Sequence, residues 1–312
     1  MDVTTESPDF GSPGMPATEL LAYNIAHSVN AIFTVLLNVL LLRILQRQRT
    51  ISDVSRLIHS VMTVLDLCMG LCWNTWSILW YTANDAENCR LAVYIFLFPH
   101  RFLAFCILAT MCVISIDKYV FITRPLRYPL LVTPNRVAVV LAALFTASFL
   151  LCITHLPLPS WSRVTDIIIA NCINQFGSLS EWENLFKSLF LVVPISITIV
   201  VATFSNFRLL HVARQQSRAI AALKPGGLAP RRSSSRGVTT VILLTLPFYI
   251  CWVPWIVFLT LQDLSGQLAA LDFMGAATSL IRPVIYMATT REARDILAAQ
   301  IRKKTGQLHD RQ

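Results

Sequence analysis

Charge is scarce in this sequence. Only 14% of its 312 residues are Asp, Glu, Lys or Arg, against 55% hydrophobic, and the mean hydropathy is +0.59. A soluble globular chain carries about 25% charged residues, so a domain dissolved in water is excluded. Single cores in water also stop growing at about 250 to 300 residues, and one bundle dissolved in lipid fits better. The alternating pattern of a barrel strand is missing as well. Residues 1–21 lack the basic-then-apolar order of a signal peptide and read as a short disordered extracellular tail. No Asn-x-Ser/Thr sequon occurs, so no N-glycosylation is predicted. A His-x-x-x-His pair, a nucleophile elbow and a phosphate-cradling loop are also absent. The chain is therefore read as no enzyme, needing no cofactor and no metal.

What it does have is apolar runs. A membrane-spanning helix needs about 20 largely apolar residues, and seven windows qualify, roughly 22–46, 55–81, 90–122, 134–157, 184–214, 236–262 and 266–288. The third and fifth exceed a span, so their inner ends should project from the membrane. Of the 26 Lys and Arg residues, 21 fall on the even-numbered side: the first, second and third inner loops and the tail. The opposite side holds acids such as Asp85, Glu87, Asp166, Glu181, Glu183 and Asp263. By the positive-inside rule the amino terminus is outside and the carboxyl terminus inside. The +9 net charge then reflects this bias and attraction to anionic inner-leaflet lipid, with no need for nucleic acid. Six of the eight cysteines fall inside spans. Cys89 and Cys172 fall in outside loops, where they either bridge the start of the third span to the fourth-to-fifth connection or stay free.

Several short motifs stand in order along these spans. Asn38 lies in LLNVLLL, Asp66 in TVLDLCMGL, and ISIDKYVFITRPLRYP closes the third span at 114–129. Pro194 lies in LVVPISI, FYICWVP occupies 248–254, and RPVIY ends the seventh span at 282–286. Together they resemble the landmarks of the rhodopsin-like G-protein-coupled receptors over nearly all of 22–300. Singly each has a plainer reading: a proline kink, core packing of an aromatic, or a solvated Asp at a helix end. The resemblance implies an all-α seven-helix domain at 22–288, a plasma-membrane location, and a short amphipathic inner helix and tail at 289–312. It implies that Asp117, Lys118, Tyr119, Phe248, Trp252, Pro254, Pro283 and Tyr286 carry the coupling switch. Pro194, Pro254 and Pro283 would each remove a backbone bond and permit a kink.

Where the chain departs from that pattern is as informative. Arg282 stands in place of the family's Asn and would face Asp66, acting as a tethered replacement for a sodium ion; otherwise it snorkels to the inner headgroups. Each charge alone would cost about 2.5–3.5 kcal/mol at the bilayer centre. Lys118 replaces the family's Arg, keeping the charge and losing the planar fork. Residues 184–262 contain no Asp or Glu, so Lys118 has only Asp117 to pair with and no latch to the sixth helix. Ala202 replaces a tyrosine, the tryptophan usual in the fourth span is missing, and Cys89 lies about one turn early. The outer end of the third helix is expected to be irregular near Pro99.

His100, Arg101, Trp252, Trp255 and Asp272 are the candidates for an outer ligand pocket. His100 stands where amine-binding members have an aspartate, which argues against a typical amine, and without Lys in the seventh span retinal is excluded. His100 would pair with Asp272, or join Arg101 in holding an anionic ligand, or be simply a satisfied histidine. Inside, RRSS at 231–234 resembles a basophilic kinase site, and Ala293, Ile296, Leu297 and Ile301 share one face of a surface helix. The leading reading is a receptor that relays an outside small molecule or peptide to a heterotrimeric G protein. The alternatives are a receptor-like protein that acts by dimerisation or scaffolding without coupling, and a transporter or channel.

Overall fold

The computed structural model describes residues 17–82, 86–153, 193–223, 246–247, 249–254 and 268–309. Among them every regular element is a helix. The expected Cys172, Phe248 and Trp255 lie outside these residues, as do the side chains of Cys89 and Asp272.

Helix α1 (Ala17–Arg47) is built inside out. His27, Asn30, Thr34 and Asn38 recur at helical spacing and are all buried, while Ile25, Val29, Ile32, Phe33 and Leu36 are exposed. In water such a helix would roll over. In lipid the apolar face meets solvent and the polar face must find partners inside the bundle. α1 begins at Ala17 with Glu19 in its first turn, where an acid favours the helix dipole. Residues 17–21 are thus helix, a correction to the expected tail.

Next come α2 (Asp53–Thr82), α3 (Ala86–Thr123), a single turn α4 (Tyr128–Leu131) and α5 (Pro134–Ile153). α6 follows at Val193–Leu223, then helical residues 249–254 around Trp252, α7 (Leu268–Thr289) and α8 (Arg291–His309). Among the described residues four segments are long and apolar enough to cross a membrane: Thr18–Arg47, Asp53–Leu79, Pro99–Thr123 and Pro134–Ile153. They coincide with the first four expected spans. α3 has 38 residues and runs unbroken through Pro99, against the expected irregularity. A membrane helix tolerates a proline when its neighbours absorb the freed carbonyl. At about 57 Å, α3 is far longer than the hydrocarbon core.

α1 packs on α2 and α7, α2 on α3, α5 and α7, and α3 on α5 and α6. Met69, Trp73, Ile107, Met111, Trp252 and Ala276 belong to the core where these elements meet. The close approach of α1 to α2 depends on Gly70, where a Cβ would fall 2.5 Å from Thr34 Cγ2 and 3.1 Å from Ser279 Cβ. Gly70→Ala should therefore destabilise by about 1–3 kcal/mol. Thr34→Ser, which deletes the clashing methyl, should return part of that loss. Thermal unfolding of the detergent-purified variants measures both; full stability of Gly70→Ala would refute the close-packing account.

Candidate functional site

Among the described residues one polar constellation lies at mid-depth in the bundle and another at its inner end. At mid-depth Arg282 Nη1 on α7 donates to both carboxylate oxygens of Asp66 on α2, at 2.7 and 2.8 Å. Arg282 is 6% exposed and Asp66 2%, so the arginine does not snorkel. A cavity of about 20 Å³, room for one water-sized guest, adjoins the pair and is also lined by His59, Met111 and Tyr286. Among the described residues Arg282 Nε and Nη2 are buried without a hydrogen-bond partner. The guanidinium supplies the positive charge that Asp66 needs, and it reaches the carboxylate through one nitrogen. Pro283 follows it inside α7. Asn38 Nδ2 ties α1 to this helix by donating to the Ser279 carbonyl at 3.0 Å.

At the inner end Lys118 Nζ lies 3.0 Å from Asp117 Oδ2 and donates to Ser55 Oγ on α2 at 2.7 Å. Tyr128, on the single turn α4, donates its hydroxyl to Asp117 Oδ1 at 2.6 Å. Burial and the adjoining carboxylate push the Tyr128 phenol above its ordinary pKa, so it stays a donor. Lys118 is thus tied to a second helix, and Asp117 to the loop beyond it. Both links are hydrogen bonds to neutral hydroxyls, added to the Lys118–Asp117 ion pair. Tyr119 is half-buried and offers its carbonyl to the Thr123 hydroxyl. Tyr286 donates to Gln48 Oε1 at 2.9 Å, at the inner end of α1. Glu292 of α8 accepts from the backbone N–H of Arg49 at 2.8 Å and from the Thr50 hydroxyl. Those bonds, the Thr50 hydroxyl first, hold the Glu292 carboxyl below its ordinary pKa. α8 is so clasped to the first inner loop. Ala293 is buried and Ile296 and Leu297 are half-buried, whereas Ile301 is exposed.

Of the outer-pocket candidates, His100 and Arg101 are half-buried on α3 and Trp252 is buried; the switch candidate Pro254 is half-buried two residues beyond Trp252. His100 and Trp252 both meet one side chain that sequence reasoning did not single out, Trp73, with ring centroids 4.8 and 5.9 Å away. Further out, Asn74 Oδ1 accepts from His27 Nδ1 at 2.8 Å and from Asn30 Nδ2 at 3.0 Å. Ser55, Tyr128, Gln48, Trp73 and Asn74 are all additions from the structure. A signal existed for two of them: the Pro-Leu-x-Tyr loop contains Tyr128, and the polar stripe of α1 demands a partner such as Asn74. Thr203 of α6 lies 2.9 Å from the Tyr249 hydroxyl, joining α6 to the Trp252 segment beside buried Ala202.

The family described as "7 transmembrane receptor (rhodopsin family)" matches residues 37–290. Among curated proteins, the histamine H2 receptor of Cavia porcellus is 26% identical over 246 residues, covering 75% of this chain and 66% of that one. The histamine H2 receptor of Rattus norvegicus is 27% identical over 188 residues, 58% of this chain and 51% of that one. A probable G-protein coupled receptor of Oryzias latipes is 26% identical over 243 residues, 66% of this chain and 56% of that one. The chain spans about half to two thirds of the length of these relatives.

Proposed function

Because the chain belongs to the rhodopsin family of seven-transmembrane receptors, we propose that it relays an extracellular ligand to a heterotrimeric G protein through the tied inner end of α3. Membership makes it a seven-helix bundle and a multi-pass protein of the plasma membrane, a receptor and not an enzyme. The transporter or channel reading is set aside with it.

The observation that carries the proposal is the double tether of Lys118 on Asp117 and Ser55. This lysine is the cation expected to meet the G protein, and here it is held back against α2. A ligand that favours a state with the tether open shifts the population toward coupling, by as much as its affinities for the two states differ. The other switch residues are assigned by the same reading: Asp117, Tyr119, Phe248, Trp252, Pro254, Pro283 and Tyr286, with Cys89 and Cys172 as the outer disulfide. The ligand is proposed to be a small molecule or short peptide near His100, Arg101, Trp255 and Asp272. The relatives' name points to histamine, an amine. His100 offers no fixed negative charge to such a ligand, so histamine is not proposed.

The test is nucleotide exchange on a panel of G proteins, comparing the natural protein with Lys118→Arg and Arg282→Asn. Exchange above empty membranes, or silence that either substitution relieves, supports coupling. A second reading rests on the Lys118, Ala202 and Arg282 departures: a receptor-shaped protein that acts without coupling, through dimers or scaffolding. Silence in all three proteins at verified surface levels favours it.

A further inference from the structure

Trp73 and Gly275 each lie seven residues, about 10 Å, outward of a member of the ion pair on their own helices, Asp66 on α2 and Arg282 on α7. They therefore stand at one level, and they fit each other. A Cβ on Gly275 would fall 2.4 Å from both Cη2 and Cζ2 of the Trp73 indole. These are ring atoms of a side chain only 2% exposed, with no room to retreat. The indole stands nearly perpendicular to Trp252, at 88° and 5.9 Å, and also meets the His100 ring at 4.8 Å and 64°. An aromatic edge against an aromatic face is the preferred arrangement for such rings.

His100 and Trp252 are two of the proposed outer-pocket residues. In this structure one internal indole meets both. We propose that Trp73 is a tethered aromatic ligand: its indole fills the chamber beside Trp252, with Gly275 as the wall that admits it, and it sets the resting position of Trp252. A chamber so filled has no space for a free guest, so an external ligand binds further out or displaces the indole. Removal of the indole creates a site whose shape and lining select a flat, uncharged, fused aromatic molecule of the indole class. Apolar cavities of roughly 150 Å³ left by truncating a core side chain stay dry and take up aromatic guests of this kind. The inference rests on the receptor reading above for its signalling readout alone; its binding readout stands apart from it.

Natural protein, Trp73→Ala and Trp73→Phe are purified in detergent and heated with and without 3-methylindole, the side-chain analogue of tryptophan. At about tenfold excess over its Kd the compound raises the unfolding midpoint of Trp73→Ala by roughly 2–4 °C. It leaves the natural protein, whose chamber is full, unmoved. Basal nucleotide exchange by Trp73→Ala departs from the natural level by about threefold or more and returns toward it as the compound fills the site. If Trp73→Ala fails to reach the membrane, 3-methylindole in the growth medium restores its yield. Trp73→Phe, which keeps a ring and loses the fused half, shows the same exchange change to a smaller degree. Equal stabilisation of the natural protein and the variants, or no response from either variant, overturns the proposal. Stabilisation of Trp73→Ala with no exchange from any of the three proteins retains the tethered ligand and overturns the coupling reading instead.

Discussion

Asp66→Ala is expected to remove most of the protein from the cell surface, and a second substitution, Arg282→Asn, is expected to bring much of it back. Breaking a buried ion pair from one side leaves an uncompensated charge and costs about 3–5 kcal/mol. Here the stranded group would be Arg282, already 6% exposed and with two of its three nitrogens lacking partners among the described residues. The double substitution removes both charges, so the losses should not add; a cycle of thermal unfolding measurements should give a coupling energy of roughly 2 kcal/mol or more. Additive effects, or an Asp66→Ala protein as stable as the natural one, would sink the pairing as a source of stability. Sodium gives an independent readout. Both Asp66 oxygens already accept from Nη1, so replacing sodium by choline should leave the natural protein's stability unchanged. Arg282→Asn, which bares the carboxylate, should gain a sodium response. A clear sodium effect in the natural protein would count against the guanidinium as a stand-in for the ion.

The ion pair is legible in the sequence because lipid makes charge conspicuous. An arginine and an aspartate deep in apolar runs leave few arrangements open, and the same economy exposes the spans themselves. Bilayer thickness sets a length of about 20 residues, which is why four of the described helices, each long and apolar enough to cross a membrane, fall on the first four windows. Helix ends are less legible. Residues 17–21 look like part of a polar tail, yet α1 begins at Ala17, with Glu19 in its first turn. Pro99 looks like a break, yet α3 runs through it. Residues such as Trp73 and Ser55 are hidden for a different reason. An apolar ring in an apolar helix, or a serine among other small polar residues, carries no signal of its own. Its role depends on how α2 is rotated about its axis, and that is settled by contacts with α1, α3 and α7 together. Gly275 makes sense only once the indole across from it is seen.

At the inner end, two small substitutions are expected to move basal nucleotide exchange in opposite directions. Ser55 is buried near the start of α2 and accepts from Lys118 Nζ at 2.7 Å. Alanine removes that oxygen without adding bulk. A hydrogen bond to a charged group contributes about 1.5–3 kcal/mol, and every 1.4 kcal/mol is about tenfold in an equilibrium. Since only the tied state makes the bond, Ser55→Ala should raise the untied population, and with it basal exchange, by about five- to tenfold once solvent replaces part of the loss. Tyr128→Phe acts on the other partner. The hydroxyl at 2.6 Å shares the Asp117 carboxylate with Lys118. Without it the buried carboxylate has the lysine as its remaining polar partner among the groups described, so Lys118 is held more firmly and basal exchange should fall. The double variant should lie between the two. Exchange assays on membranes matched for surface receptor decide the matter. A rise in both variants would mean that the cluster works as a single brake with no division between its arms. A fall in Ser55→Ala would mean that α2 presents Lys118 to the G protein and does not withhold it.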